Sequence, residues 1–325
     1  MVYLLYNKDG IKVIGEDHVE PVTFLNNNFE HIIMENTYAG NIDKIDLKNK
    51  VNDISNNIIN IETGYFFYSF NYQVNYQHFL CETLPKLKKY ILEYKNVPLL
   101  ILEHFYNKIQ KELLDICDIT NIIILKNNTI YNIINYIPPS HHTLDISLDH
   151  LWIYNLIRNK LNITPNIKKD RLIYLKRDDI PNAEYNNNNF GSDRRILNDD
   201  KFCDMLISKG FEIIPVGTLS IVEKSKVLKD AKMLITLVGT NCMNLIFTNA
   251  PETVIFISNM HNHPFAYFNP HYYLSFSEIL NNTKINTSCL SFDPIRPIIS
   301  NKYNIPFYVD IDQFENMIDI YLNTN

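Results

Sequence analysis

With 325 residues, 46% of them hydrophobic and 20% charged, the chain is long enough to bury the cores of two domains. A net charge of −6 argues against a nucleic-acid scaffold, which needs clustered Lys and Arg to neutralise phosphates. The 5 cysteines are odd in number and outside any CxxC pairing, so they indicate neither a disulfide framework nor a zinc site and fit a reducing, cytoplasmic setting.

The apolar opening Met1 to Tyr6 gives way to Asn7, Lys8 and Asp9, too short for a signal-peptide core. No later run reaches the ~20 apolar residues of a membrane span, so none is expected. Asn and Ile are abundant beside 21 Tyr and only 8 Gly, a bias matching AT-rich codons that makes Asn a poor turn marker here. Residues 2 to 24 and 58 to 70 have strand character, and a helical pattern runs from Asn75 to Tyr94 with Pro85 placed to kink it. Strand Val97 to Leu102, helix Phe105 to Cys117, strand Asn121 to Leu125, a strand near Ile130 to Ile137 and helix Leu148 to Leu161 follow. A linker at Asn162 to Lys169 sets a boundary near residue 165.

From Arg171 the alternation is cleaner. Strand Arg171 to Arg177, helix Asp199 to Lys209 closed by Gly210, and strand Phe211 to Pro215 come first. Helix Ser220 to Ala231 opens on the capping box Ser220-Ile221-Val222-Glu223. Strand Met233 to Val238, helix Asn241 to Asn249 and strand Thr253 to Ile257 complete the pattern. Strands separated by single helices form a parallel, doubly wound sheet whose ligands lie beyond the strand C-terminal ends. The expected organisation is α/β, with domains at 1–165 and 166–290 and a tail at 291–325 ending in an amphipathic helix from Asp312 to Leu322.

Val238-Gly239-Thr240-Asn241 ends a buried strand and opens a helix, so backbone N–H groups and a helix dipole meet at one point suited to an anion. Arg177, Arg194 and Arg195 fall at the same strand-end edge, and arginine forks grip phosphate oxygens bidentately. His78 and Glu82 stand four apart on one helix face; they suit an acid/base pair or hydroxyl-binding groups, though such a pair taken alone is more often an ordinary solvated or structural i,i+4 pair. This pair lacks a third nearby metal ligand, and His261-x-His263 has only the spacing of a ligand pair, a spacing that ordinary loop histidines more often show. His141-His142 beside two prolines could line a cleft between domains but reads more readily as an exposed loop, and Asp178-Asp179 and Asp310-Ile311-Asp312 read as turns or helix caps.

Together Asn75-Tyr76-Gln77-His78-Phe79-Leu80-x-Glu82-x-Leu84-Pro85-x-Leu87, Tyr174-Leu175-Lys176-Arg177, Arg194-Arg195-Ile196-Leu197-Asn198-Asp199, Gly210-Phe211-Glu212, Leu219-Ser220-x-x-Glu223 and Gly239-x-x-x-x-Asn244-Leu245-Ile246-Phe247 resemble family 61 glycosyltransferases. The resemblance spans roughly residues 65 to 260. It implies a GT-B-like architecture of two Rossmann-type domains with a cleft between them. It also implies inverting transfer from a nucleotide sugar, commonly UDP-linked and of the UDP-GlcNAc or UDP-xylose kind, to a glycan or glycoprotein acceptor, with no obligatory metal or other cofactor. Carried onto this chain, Arg177, Arg194, Arg195, Glu223, Gly239, Thr240, Asn241 and Asn244 would hold the donor, and Glu82 or His78 would be the base. The chain departs from the family pattern at Val238, where a histidine is usual, and at Lys224, where a glutamine is. These departures leave a catalytically silent binding or structural protein of the same fold as the rival reading.

Overall fold

The computed structural model describes residues 2–5, 22–25, 58–67, 76–103, 106–126, 129–137, 147–163, 168–177, 196–258, 274–292 and 307–324. The chain divides into two compact units, Met1–Ile157 and Arg158–Asn325. Among the described residues no helix is long and apolar enough to cross a membrane.

The first unit is built on a six-stranded sheet of β1 (Val2–Leu5), β2 (Val22–Leu25), β3 (Ile58–Phe66), β4 (Leu99–Leu102), β5 (Ile122–Leu125) and β6 (Thr129–Ile137). The order is β2-β1-β6-β3-β4-β5, every pairing parallel. Phe66, Leu100, Leu102, Leu125 and Tyr131 form a core cluster of this sheet. Gly64 on β3 permits a close strand approach, since a Cβ there would stand 2.4 Å from Leu100 Cδ1. Helices α1 (76–94), α2 (Lys108–Ile116) and α3 (Leu148–Lys160) complete the described elements, α2 opening on Asn107, whose side chain accepts from the Gln110 amide.

Helix α1 is not the single kinked α-helix expected from the sequence. It runs as an α turn at Tyr76–His78, a π turn at Phe79–Thr83, a 3-10 turn at Leu84–Lys86, an α turn at Leu87–Lys89 and a second π turn at Tyr90–Tyr94. Pro85 supplies the reason for the first π turn and the 3-10 turn after it. It has no N–H, so neither the α nor the π hydrogen-bond register can pass through it unbroken. The Leu84 N–H reaches back to Phe79 O instead.

The second unit holds a five-stranded sheet of β7 (Arg171–Lys176), β8 (Glu212–Pro215), β9 (Ala231–Leu237), β10 (Thr253–Ser258) and β11 (Asn286–Ser291). Its order is β11-β10-β9-β7-β8, again wholly parallel, and β11 is a strand that the periodicity did not reveal. Strand β10 is buried along its whole length and β9 along nearly all of it, as a sheet covered on both faces requires. Helix α4 (Asp199–Ser208) ends in a Schellman turn at Gly210, with φ +86°, where Phe211 N–H bonds Leu206 O and Gly210 N–H bonds Ile207 O. Helix α5 (Ile221–Leu228) starts with the expected capping box, Ser220 and Glu223 each accepting the other's backbone N–H.

Where an α-helix was expected from Asn241 to Asn249, the chain forms a 3-10 segment, Thr240–Phe247. Side chains bonding three residues back favour that tighter winding: Asn244 Nδ2 donates to Asn241 O at 2.8 Å and Thr248 Oγ1 to Leu245 O at 2.8 Å. Helix α6 (274–281) follows β10, and α7 (Ile311–Thr324), which starts on the Asp310 cap, lays Phe314 and Ile318 onto the sheet core. There the Phe202 ring meets Tyr174 and Phe314 edge-on, at centroid distances of 5.3 and 4.8 Å. Lys209 adds ion pairs to Asp319 and Glu315 of α7, at 2.7 and 2.9 Å.

Candidate active site

In the second unit the chain runs from β7 outward to β8 and returns past β7 to β9, so the winding reverses between β7 and β9. Ligands of open parallel sheets bind outside the strand C-terminal ends at such a switch point. Arg177 follows the last residue of β7 and Gly239 lies two residues past β9. Their strands are in register, with Leu175 opposite Thr236, so continuing the pairing sets Arg177 beside Val238. The fold therefore brings Arg177 and the Gly239 turn to one edge. Lys176 is committed elsewhere, in a 2.6 Å ion pair with Asp199.

Gly239 has φ +137° and ψ −153°, a conformation essentially reserved for glycine. It turns the chain sharply from β9 into the 3-10 segment, whose first turn closes when Cys242 N–H bonds Gly239 O at 2.9 Å. The amides of Thr240 and Asn241 precede that first intrahelical bond, as an anion-binding turn requires. Asn241 Nδ2 is buried with no hydrogen-bond partner among the described residues. Asn244 is buried and faces inward, so it shapes the segment through Asn241 O. The Glu223 carboxylate accepts the Ser220 N–H at 2.8 Å, which gives it a structural task at the start of α5. Val238 is buried, its N–H bonded to Ile257 O at 2.8 Å.

At the far end of the 3-10 segment stands Arg158, which the sequence reading passed over. Its buried guanidinium donates to Ile246 O at 2.7 Å, Thr248 O at 2.6 Å and Asn281 Oδ1 at 2.8 Å. It thereby caps the C-terminal end of the 3-10 segment with a cation, the sign that end of a helix prefers. Burial lowers its pKa to about 10, which still leaves it charged at neutral pH. Arg194 and Arg195 lie outside the described residues, as do Asp178, Asp179, His141, His142, His261 and His263.

In the first unit His78 and Glu82 do meet. His78 Nδ1 stands 2.7 Å from Glu82 Oε1, with Glu82 buried and the His78 side chain about a quarter exposed. With Nδ1–H donating to the carboxylate, any proton-accepting role would fall to Nε2. One further turn along stands Lys86, also buried, its ammonium pushed down to about 7 by desolvation against the opposing pull of Glu82. The sequence carries the signal as His-x-x-x-Glu-x-x-x-Lys, though only burial makes the lysine notable. Among the described residues no group of three or more His, Cys, Asp or Glu is placed to hold a metal ion.

The family model described as Glycosyltransferase 61 matches residues 76–256, from the turn that carries His78 into strand β10 of the second sheet. The chain belongs to glycosyltransferase family 61. No curated protein matches it in a direct search. For this family 61 glycosyltransferase the α/β architecture and the two parallel sheets agree with the Rossmann-like folding expected from the sequence.

Proposed function

We propose that this glycosyltransferase moves a sugar from a UDP-linked donor to a hydroxyl of a glycan or glycoprotein acceptor, with inversion, without a metal, and within a GT-B-like arrangement. The observation that carries the reading is the placement of Arg177 and the glycine-only turn at Gly239 together at the switch point of the second sheet. There the amides of Thr240 and Asn241 and the free Asn241 Nδ2 would hold the diphosphate, and Arg177 with Arg195 and Arg194 would neutralise charge building on the leaving nucleotide.

The first unit would supply the base. The acceptor oxygen attacks the anomeric carbon, the bond from that carbon to the phosphate oxygen breaks, and the nucleotide leaves with the bonding electrons. The hydroxyl proton passes to His78 Nε2, and Glu82 steadies the imidazolium through Nδ1. Glu82 acting directly on the hydroxyl is the variant of this step that the geometry favours less, since Glu82 is the more buried of the two.

One observation favours the silent rival: buried, apolar Val238 stands where the family pattern has histidine. A panel of nucleotide sugars, assayed for nucleotide release with mixed acceptors, separates the two. Release that falls at least a hundredfold in His78→Gln and in Arg177→Ala supports transfer. Nucleotide binding without turnover supports the rival, and no nucleotide binding sinks both.

A further inference from the structure

The π turn at Phe79–Thr83 leaves two consecutive carbonyls in need of donors. In an α register Cys81 O would accept from residue 85, which is proline and has no N–H. Leu80 O would accept from Leu84, whose N–H is spent on Phe79 O; in the π register its donor would again be Pro85. Both carbonyls are buried, and a buried carbonyl without a donor is strongly disfavoured.

Helix α3 answers both. His150 Nε2 stands 2.6 Å from Cys81 O and the Tyr154 hydroxyl donates to Leu80 O at 2.9 Å. The two donors are four apart on α3, on one face, and meet two adjacent carbonyls of α1. The partners also settle the tautomer of His150. Its Nδ1 accepts the Ser147 backbone N–H at 3.2 Å, with the Ser147 hydroxyl at 2.8 Å, so the proton resides on Nε2 and points at Cys81 O. His150 is fully buried, and burial lowers its pKa, which keeps that neutral form in place.

We infer that His150 and Tyr154 are positioning residues that hold the π turn and thereby set the His78–Glu82 pair in its working geometry. Glu82 lies inside the π turn and His78 immediately before it, so their mutual orientation depends on which helical register residues 79 to 83 adopt. With the Tyr154 donor removed, an α register would return the Leu84 N–H to Leu80 O. With the His150 donor removed, a π register carried further would bring the Lys86 N–H to Cys81 O. Either shift swings Glu82 relative to His78. The inference rests on the proposed role of that pair, yet it makes a structural claim that stands without substrate.

Three variants test it: Tyr154→Phe, His150→Phe and His150→Gln, the last retaining an N–H donor. In 15N imidazole spectra of the whole chain, with His78→Gln identifying the His78 signals, the wild type shows Nδ1 protonated for His78 and Nε2 protonated for His150. Tyr154→Phe and His150→Phe shift the His78 ring nitrogens while still giving a cooperative melt, and His150→Gln returns them toward wild type. In the transfer assay kcat falls about tenfold to a hundredfold in the first two variants, with nucleotide affinity unchanged, and recovers in His150→Gln. Unchanged His78 signals in both Tyr154→Phe and His150→Phe overturn the inference, as does a loss confined to KM. If the wild type neither binds nor turns over nucleotide, the transfer reading fails while the spectra still decide the positioning claim.

Discussion

Arg158 donates to Ile246 O at 2.7 Å, at the opposite end of the 3-10 segment from Gly239. A single buried cation thus holds the segment that opens at the Gly239 turn, using only neutral acceptors among its described partners. Arg158→Met strands the carbonyls of Ile246 and Thr248 and should cost about 3 kcal/mol in urea denaturation. Nucleotide affinity, measured by calorimetry on the remaining folded protein, should weaken with it. Arg158→Lys keeps the charge but loses the fork and should fall between the two. A wild-type urea midpoint in Arg158→Met would remove the residue from this role.

Lys86 makes a prediction about pH. Its folded pKa lies near 7, below the 10.5 of an unfolded lysine, so between these values the unfolded chain binds the extra proton. Stability therefore rises with pH across that window, and is lowest below about 7, where the buried ammonium must carry its charge. Thermal melts from pH 6.5 to 10 should show this rise for the wild type, and Lys86→Met should flatten it. A slope that survives in Lys86→Met would assign the effect to another group.

Gly239→Ala forces an alanine into φ +137°, at a cost of about 1–3 kcal/mol. The chain relieves that strain by rotating the Thr240 and Asn241 amides. The expected outcome is a folded protein, judged by circular dichroism, whose nucleotide affinity is at least tenfold weaker. Wild-type affinity in this variant would show that the turn does not form the anion site.

Gly64→Ala sets a methyl 2.4 Å from Leu100 Cδ1 in the first sheet and should destabilise the protein by about 1–3 kcal/mol. Combining it with Leu100→Val removes part of the clash. The pair should then be less damaging than the sum of the single changes, a coupling read from a double-mutant cycle.

Four of the second sheet's five strands were legible because strands and helices alternate with sharp caps: Gly210 and the Ser220–Glu223 box act through residues within five positions of one another. Arg177 and Gly239 could be placed at one edge for the same reason, since topology alone brings strand ends together. The π turn was not legible. Proline at 85 announces a break, but the choice of register depends on His150 and Tyr154, 69 and 74 residues beyond the carbonyls they meet. Arg158 was invisible for a related reason, its acceptors lying 88 and 90 residues away. Helix Thr240–Phe247 kept its place but not its winding, because short-range side-chain bonds from Asn244 and Thr248 outweighed an apolar spacing that suits an α-helix.

Asn198 and Val309 exchange two hydrogen bonds across 111 positions of sequence, and Phe314 completes the ring cluster on Phe202. While the protein is being made, the five parallel strands are thus all synthesised before the aromatic cover of their core has left the ribosome. The Phe202 face is therefore closed only after every strand it covers has been made, so packing of the second unit is completed by a contact of high sequence separation.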